Sequence, residues 1–102
     1  MQISMQEKGD ALYIHLDGEL DEHTASQARR YIDGSIPRYP RAASVVFDLS
    51  KVSFMDSTGI GFLIGRYKNF SRFGLPVYIT RPNREADKIL TLGGIYALIP
   101  RL

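Results

Sequence analysis

Ser44-Val45-Val46-Phe47-Asp48-Leu49 is a short apolar run, rich in β-branched residues and carrying one charge. Runs of this kind belong to strands covered on both faces, which calls for parallel neighbours and helices above and below the sheet. Residues 44–49 are therefore read as a central strand.

The sequence on either side supports an α/β arrangement. Beyond the run, Ile60, Leu63, Ile64, Tyr67 and Phe70 recur at helical spacing between Thr58 and Phe73. Arg66, Lys68, Asn69 and Arg72 fall off that stripe, and Gly74 stands where a glycine ends a helix. Tyr67, Phe70 and Phe73 are read as packing residues. Leu75 to Thr80 predicts another strand, with Pro76 near its start, where a missing N–H is tolerated. Asn83 is placed to cap a helix with Ala86, Ile89, Leu90 and Leu92 as its apolar positions, closed by Gly93-Gly94. A last short strand is expected from Tyr96 to Ile99, stopping at Pro100.

Upstream, Leu12, Ile14 and Leu16 alternate with Tyr13, His15 and Asp17, the period of a half-buried strand. Ile3 and Met5 suggest a partner strand, joined through Lys8-Gly9-Asp10 as a hairpin. Ala25, Ala28, Ile32 and Ile36 then mark a helix with Thr24 or Asp21 as N-cap, ended by Pro37 and Pro40. The expected order is strand, strand, helix, strand, helix, strand, helix, strand. Alternation of this kind implies right-handed crossovers in a largely parallel sheet.

Composition narrows the functions open to the chain. Its 102 residues make one domain, 1–102, with room for one core and one working site. The absence of cysteine excludes a disulfide framework, a thiolate zinc site, an iron–sulfur cluster and a thiol nucleophile. No leader-like segment and no apolar run of membrane-spanning length is present, so a soluble, cytoplasmic chain without membrane contact is expected. Residues 1–51 carry 6 basic and 8 acidic side chains, whereas residues 52–102 carry 7 and 3. The basic residues are dispersed rather than clustered, which argues against direct nucleic-acid binding. Asp17, Glu19, Asp21 and Glu22 lack calcium-loop spacing and are read as a solvated loop facing a basic partner rather than a metal.

Chemistry concentrates in Ser53-Phe54-Met55-Asp56-Ser57-Thr58-Gly59-Ile60-Gly61, the turn from the central strand into the following helix. Ser57 falls at the cap or first position of that helix, where free N–H groups and the helix dipole would stabilise a phosphate on its oxygen. Gly59 and Gly61 remove side chains that would obstruct a partner or close packing, and Asp56 is placed to orient the hydroxyl or a metal-bound nucleotide. Asp, Ser and Thr are also the residues that plain helix capping prefers, so capping alone accounts for the same sequence. The turn lacks the nucleophile elbow G-x-S-x-G and the phosphate loop G-x-x-x-x-G-K-[ST], and neither His15 nor His23 is marked as a base. No catalytic residue, metal or cofactor is assigned.

Three blocks, Gly18-Glu19-Leu20-Asp21-Glu22-His23-Thr24-Ala25, Ser53 to Gly61, and Gly65-Arg66-Tyr67-Lys68, together resemble the STAS-domain anti-sigma factor antagonists, most closely the sigma F members of spore-forming bacteria. The resemblance implies a STAS-like fold: a short, mostly parallel mixed sheet of four to five strands with helices packed against it. It implies a non-enzymatic regulator that binds an anti-sigma factor serine kinase, with its bound ATP or ADP, and releases the sigma factor. Ser57 would be the phosphorylated residue that switches binding off, and Asp21, Asp56, Ser57, Thr58, Gly59 and Gly61 the partner surface. Two other readings stand beside it: a non-phosphorylated STAS scaffold in a transporter or stress-signalling complex, and a small hydrolase using Ser57. Relatives usually continue into a further helix after the last strand, whereas this sequence ends at Leu102. An apolar strip of Tyr96, Leu98 and Ile99 left uncovered there would favour self-association, as a homodimer or a concentration-dependent oligomer.

Overall fold

The computed structural model describes all residues, Met1–Leu102. Strands β1 (Gln2–Lys8), β2 (Ala11–Leu20), β3 (Ser44–Met55) and β4 (Val77–Thr80) form one sheet in the order β1-β2-β3-β4. The β1–β2 pair is the expected antiparallel hairpin, turned at Gly9 (φ 62°), while β2–β3 and β3–β4 are parallel. Helices α1 (Ala25–Ser35), α2 (Ser57–Ser71) and α3 (Arg84–Leu92) follow β2, β3 and β4.

All three helices cover the same face, contrary to the expectation of helices above and below. Leu12, Ile14 and Leu16 of β2, Val45, Phe47 and Leu49 of β3, and Val77 and Ile79 of β4 join Ile32, Leu63, Phe70 and Leu90 in a single core cluster. The reason is topological. A right-handed crossover that always steps in the same direction along the sheet lays each helix on the same side, and the strands run monotonically. Val46 and Asp48 are buried on the opposite face without a helix over them. Val46 is flanked in register by Tyr13 and Tyr78, and Asp48 by His15 and Thr80.

Other boundaries move for local reasons. β3 continues to Met55 because β2 pairs with it as far as Leu20, so Asp17 and Glu19 belong to a strand rather than a loop. β4 begins at Val77, two residues later than expected. The expected strand at 96–99 is a 3₁₀ turn, Ile95–Ala97, entered through Gly94 at φ 69°. Ile95 and Ile99 are both buried, a spacing of four that a helical turn satisfies and a strand does not. Only Arg101 then forms an isolated parallel bridge, to Ile79.

This turn removes the uncovered strip on which self-association was expected. Ile99 lies in the core, and the Tyr96 hydroxyl donates to Asp87 Oδ1 at 2.6 Å. Burial, followed by the Asp87 carboxylate, raises the Tyr96 pKa above the usual phenol range. Of the three residues only Leu98 is largely exposed. Phe73 and Leu92, read as packing positions, are exposed at 63% and 79%. Phe62 and Arg66, outside the expected stripe, are buried because α2 meets α1 as well as the sheet.

Candidate functional site

The parallel register sets the site. Leu20 pairs with Met55, so the loop opened by Asp21 and the turn opened by Asp56 leave adjacent strand ends side by side. That end of a parallel sheet, where loops run into helix N-termini, is the usual place for a binding site in this class of fold.

On the first loop, Asp21 is half-buried and its Oδ1 accepts from the backbone N–H of His23 at 2.9 Å and of Thr24 at 3.3 Å. The Thr24 hydroxyl donates to the Glu19 carbonyl at 2.8 Å, which ties the loop to the end of β2. Asp21 thus shapes the loop, and Thr24 occupies the N-cap position without a capping hydrogen bond of its own.

On the second turn, Asp56 is the N-cap of α2, in an extended conformation, with Oδ1 accepting from Thr58 N–H at 2.9 Å. Ser57 is the first helical residue and is exposed, and Thr58 is half-buried. The capping reading therefore holds for Asp56, whose bond leaves the Ser57 side chain free.

The two glycines differ. At Gly59 an added Cβ would lie 2.6 Å from Met55 Cγ and 3.2 Å from the Leu20 carbonyl oxygen, so a bare Cα is what lets α2 descend onto the ends of β2 and β3. Gly59 is buried and acts by positioning the turn, while at Gly61 a Cβ would meet nothing within 4 Å. Gly59→Leu is expected to destabilise the fold by about 1–3 kcal/mol through overpacking. Gly61→Ala is expected to stabilise it by about 0.5–1 kcal/mol. Chemical denaturation of the two variants checks the contrast.

A second polar cluster, not anticipated from the sequence, lies on the helix-free face. Asp48 Oδ2 accepts from His15 Nδ1 at 2.8 Å and from the Arg81 guanidinium, while Asp48 Oδ1 accepts from Ser50 N–H at 3.0 Å. Arg81 is the one non-glycine residue with positive φ, 53°, as the chain turns back over Asp48. The alternation of β2 and β3 would have placed His15 and Asp48 on one face; their pairing depended on the register. Burial alone would raise the Asp48 pKa, but the Ser50 hydrogen bonds, then Arg81 and His15, outweigh it and hold the carboxyl at about 2. A carboxylate whose pKa is depressed on folding stabilises the fold above its unfolded value, near 3.8, and loses that contribution as pH falls toward about 2. Acid titration of stability is therefore expected to show a loss in this window that Asp48→Asn lacks. Its hydrogen bonds are satisfied within the chain, and its role is to hold β2, β3 and the end of β4 together.

Comparison with known proteins agrees with this geometry. The STAS domain family model matches residues 2–102. The anti-sigma F factor antagonist of Paenibacillus polymyxa is 32% identical over 100 residues, covering 98% of this chain and 85% of that one. Among solved structures, the anti-sigma factor antagonist SpoIIAA in its unphosphorylated form has a TM-score of 0.78 at 22% identity, covering 99% of this chain and 88% of the other. The Bacillus cell fate determinant SpoIIAA in the phosphorylated form has a TM-score of 0.70 at 22% identity, covering 99% and 91%. Expected from three short blocks and matched by sheet order, helix placement and sequence over nearly the whole length, the chain belongs to the STAS domain family, alongside the anti-sigma factor antagonists.

Proposed function

We propose that this chain is a non-enzymatic anti-sigma factor antagonist, acting as one domain over residues 1–102. It docks on an anti-sigma factor through the Asp21 loop and the Asp56–Gly61 turn, frees the sigma factor, and is switched off by phosphorylation of Ser57. The observation that carries this reading is the exposed Ser57 at the first position of α2, beside a loop that the register brings next to it. The names of its relatives support the partner class, and a neighbour of the same fold that carries phosphate supports the modification.

The local physics suits such a switch. Ser57 stands where the helix dipole and first-turn N–H groups accommodate a phosphate in the free chain. In the docked complex the same phosphate, with about −1.5 to −2 charges, has to be desolvated beside Asp56 and the acidic loop. Of the partner surface, Asp21, Ser57, Thr58 and Gly61 form the contact face, with Asp56 and Gly59 holding its shape. The partner is an anti-sigma factor that is itself a serine kinase and supplies phosphate from bound ATP.

The test is incubation with such a kinase and ATP, followed by intact-mass measurement. Wild type is expected to gain one phosphate and Ser57→Ala none. A chain that binds the partner without gaining phosphate overturns the switch and leaves a scaffold role.

A further inference from the structure

Arg66 sits on the α1-facing side of α2 with its side chain only 8% exposed. Its Nε forms an ion pair with Asp33 Oδ1 at 3.1 Å, although outside hydrogen-bond geometry. That oxygen already accepts from the Asn69 amide at 3.1 Å. The guanidinium carbon rests 5.9 Å from the centre of the Phe62 ring, which supports the cation from one side. A guanidinium carries five donors in a fixed fork and does not shed its charge, so with the Asp33 ion pair as its one charged partner it retains a demand for a further anion.

The surroundings increase that demand. Burial lowers the Arg66 pKa from its ordinary value; Asp33 opposes the shift, and the nearby Arg29 charge adds to it. Two arginine charges thus lie close together, with Asp33 paired to Arg66. Beside them runs a groove of about 470 Å³ between α1 and α2. Its wall includes Gly61 and Gly65, where an added Cβ would meet nothing within 4 Å, so neither helix fills the space. The groove reaches Glu22 and Thr58, and is therefore continuous with the acidic loop and the helix start that carries Ser57.

We propose that this groove extends the partner surface and seats an acidic side chain of the anti-sigma factor, whose carboxylate pairs with Arg66 under the rim charge of Arg29. The proposal rests on the reading of the chain as an anti-sigma factor antagonist. Charge complementarity selects a carboxylate, since a planar acid matches the guanidinium fork in two parallel bonds. Continuity with the Ser57 turn selects a segment of the same partner, and the open glycine positions admit its main chain.

The test measures affinity for the anti-sigma factor with the full chain as wild type, Gly65→Leu, Arg66→Met and Arg66→Lys. Gly65→Leu puts a side chain into open space, so it is expected to keep the thermal midpoint at or above that of wild type while weakening binding at least tenfold, ~1.4 kcal/mol. Arg66→Met keeps an unbranched apolar stem over Phe62 and is expected to lose a similar factor, with a flatter dependence of affinity on salt; Arg66→Lys recovers part of both. Wild-type affinity in Gly65→Leu and Arg66→Met overturns the groove and leaves the Ser57 reading standing. Failure of wild type itself to bind overturns the functional reading, and the groove with it. Inorganic phosphate that perturbs the Gly61 and Gly65 amides of the free chain, together with unchanged partner affinity in the variants, makes the groove a small-anion site and also overturns the proposal.

Discussion

Phosphorylation of Ser57 is expected to weaken binding to the anti-sigma factor at least tenfold, which requires a loss of only ~1.4 kcal/mol. Ser57→Asp, with one charge rather than about two, is expected to reproduce part of that loss. Ser57→Ala keeps the affinity of the unmodified chain. The asymmetry comes from where the charge is placed. In the free chain it lies at an exposed helix N-terminus whose Asp56 cap already serves Thr58 N–H, so no part of the fold has to rearrange. In the proposed complex it would stand between two acidic elements that the Leu20–Met55 register holds together. Like-charge repulsion there is only partly screened, because burial in an interface excludes the salt that would screen it in water. Titration calorimetry of wild type, phosphorylated chain and both variants checks the order. Equal affinity of wild type and Ser57→Asp is the result that removes the charge switch.

Phe47→Ala is expected to cost about 3–5 kcal/mol of stability, a large share of what a domain of this size has. Phe47 is fully buried in β3, and its ring meets Phe62 edge-on at 6.4 Å and Phe70 at 6.3 Å. Both partners lie on α2, the helix that begins at Ser57. The lost ring therefore leaves a cavity under that helix, and the start of α2 is expected to open more readily as well. Urea denaturation gives the global loss, and amide exchange at Gly59 and Ile60 reports the local one. A loss below about 1 kcal/mol would mean that α2 collapses onto the vacated space, since the cost at a core site depends on how well it refills.

Much of this architecture was legible in the residues. Alternation in Leu12 to Leu16 marked the edge hairpin, the β-branched run at Val45 marked the interior strand, and Asn83 and Gly74 marked a helix start and a helix end. These signals are local: each depends on spacing along the chain and on which backbone angles a residue tolerates. The turn from Asp56 to Gly61 was equally legible, because Asp, Ser and Gly at a strand-to-helix junction constrain the geometry whatever the rest of the chain does.

The misreadings have a common origin. Val46 and Asp48 looked like the second face of a strand sandwiched by helices, yet they lie on a face left open by crossovers that all step the same way. Ile99 was read as the end of a strand from Tyr96, and only its joint burial with Ile95 shows the helical turn. Arg66 looked like a solvated charge because a helical wheel drawn from one stripe does not know that α1 packs on the neighbouring face.

What the sequence determined by itself is the first seven of the eight expected elements, the Asn83 cap, and the hydroxyl-bearing turn that offers a helix N-terminus to an anion. What only the tertiary structure decided is which of these stand together: Asp21 beside Asp56, His15 and Arg81 on Asp48, and Arg66 beside the groove between α1 and α2. The physical reason is that caps and periodicities act over a few residues, whereas strand register and helix packing couple residues tens of positions apart, where the chain alone carries no record of the distance between them.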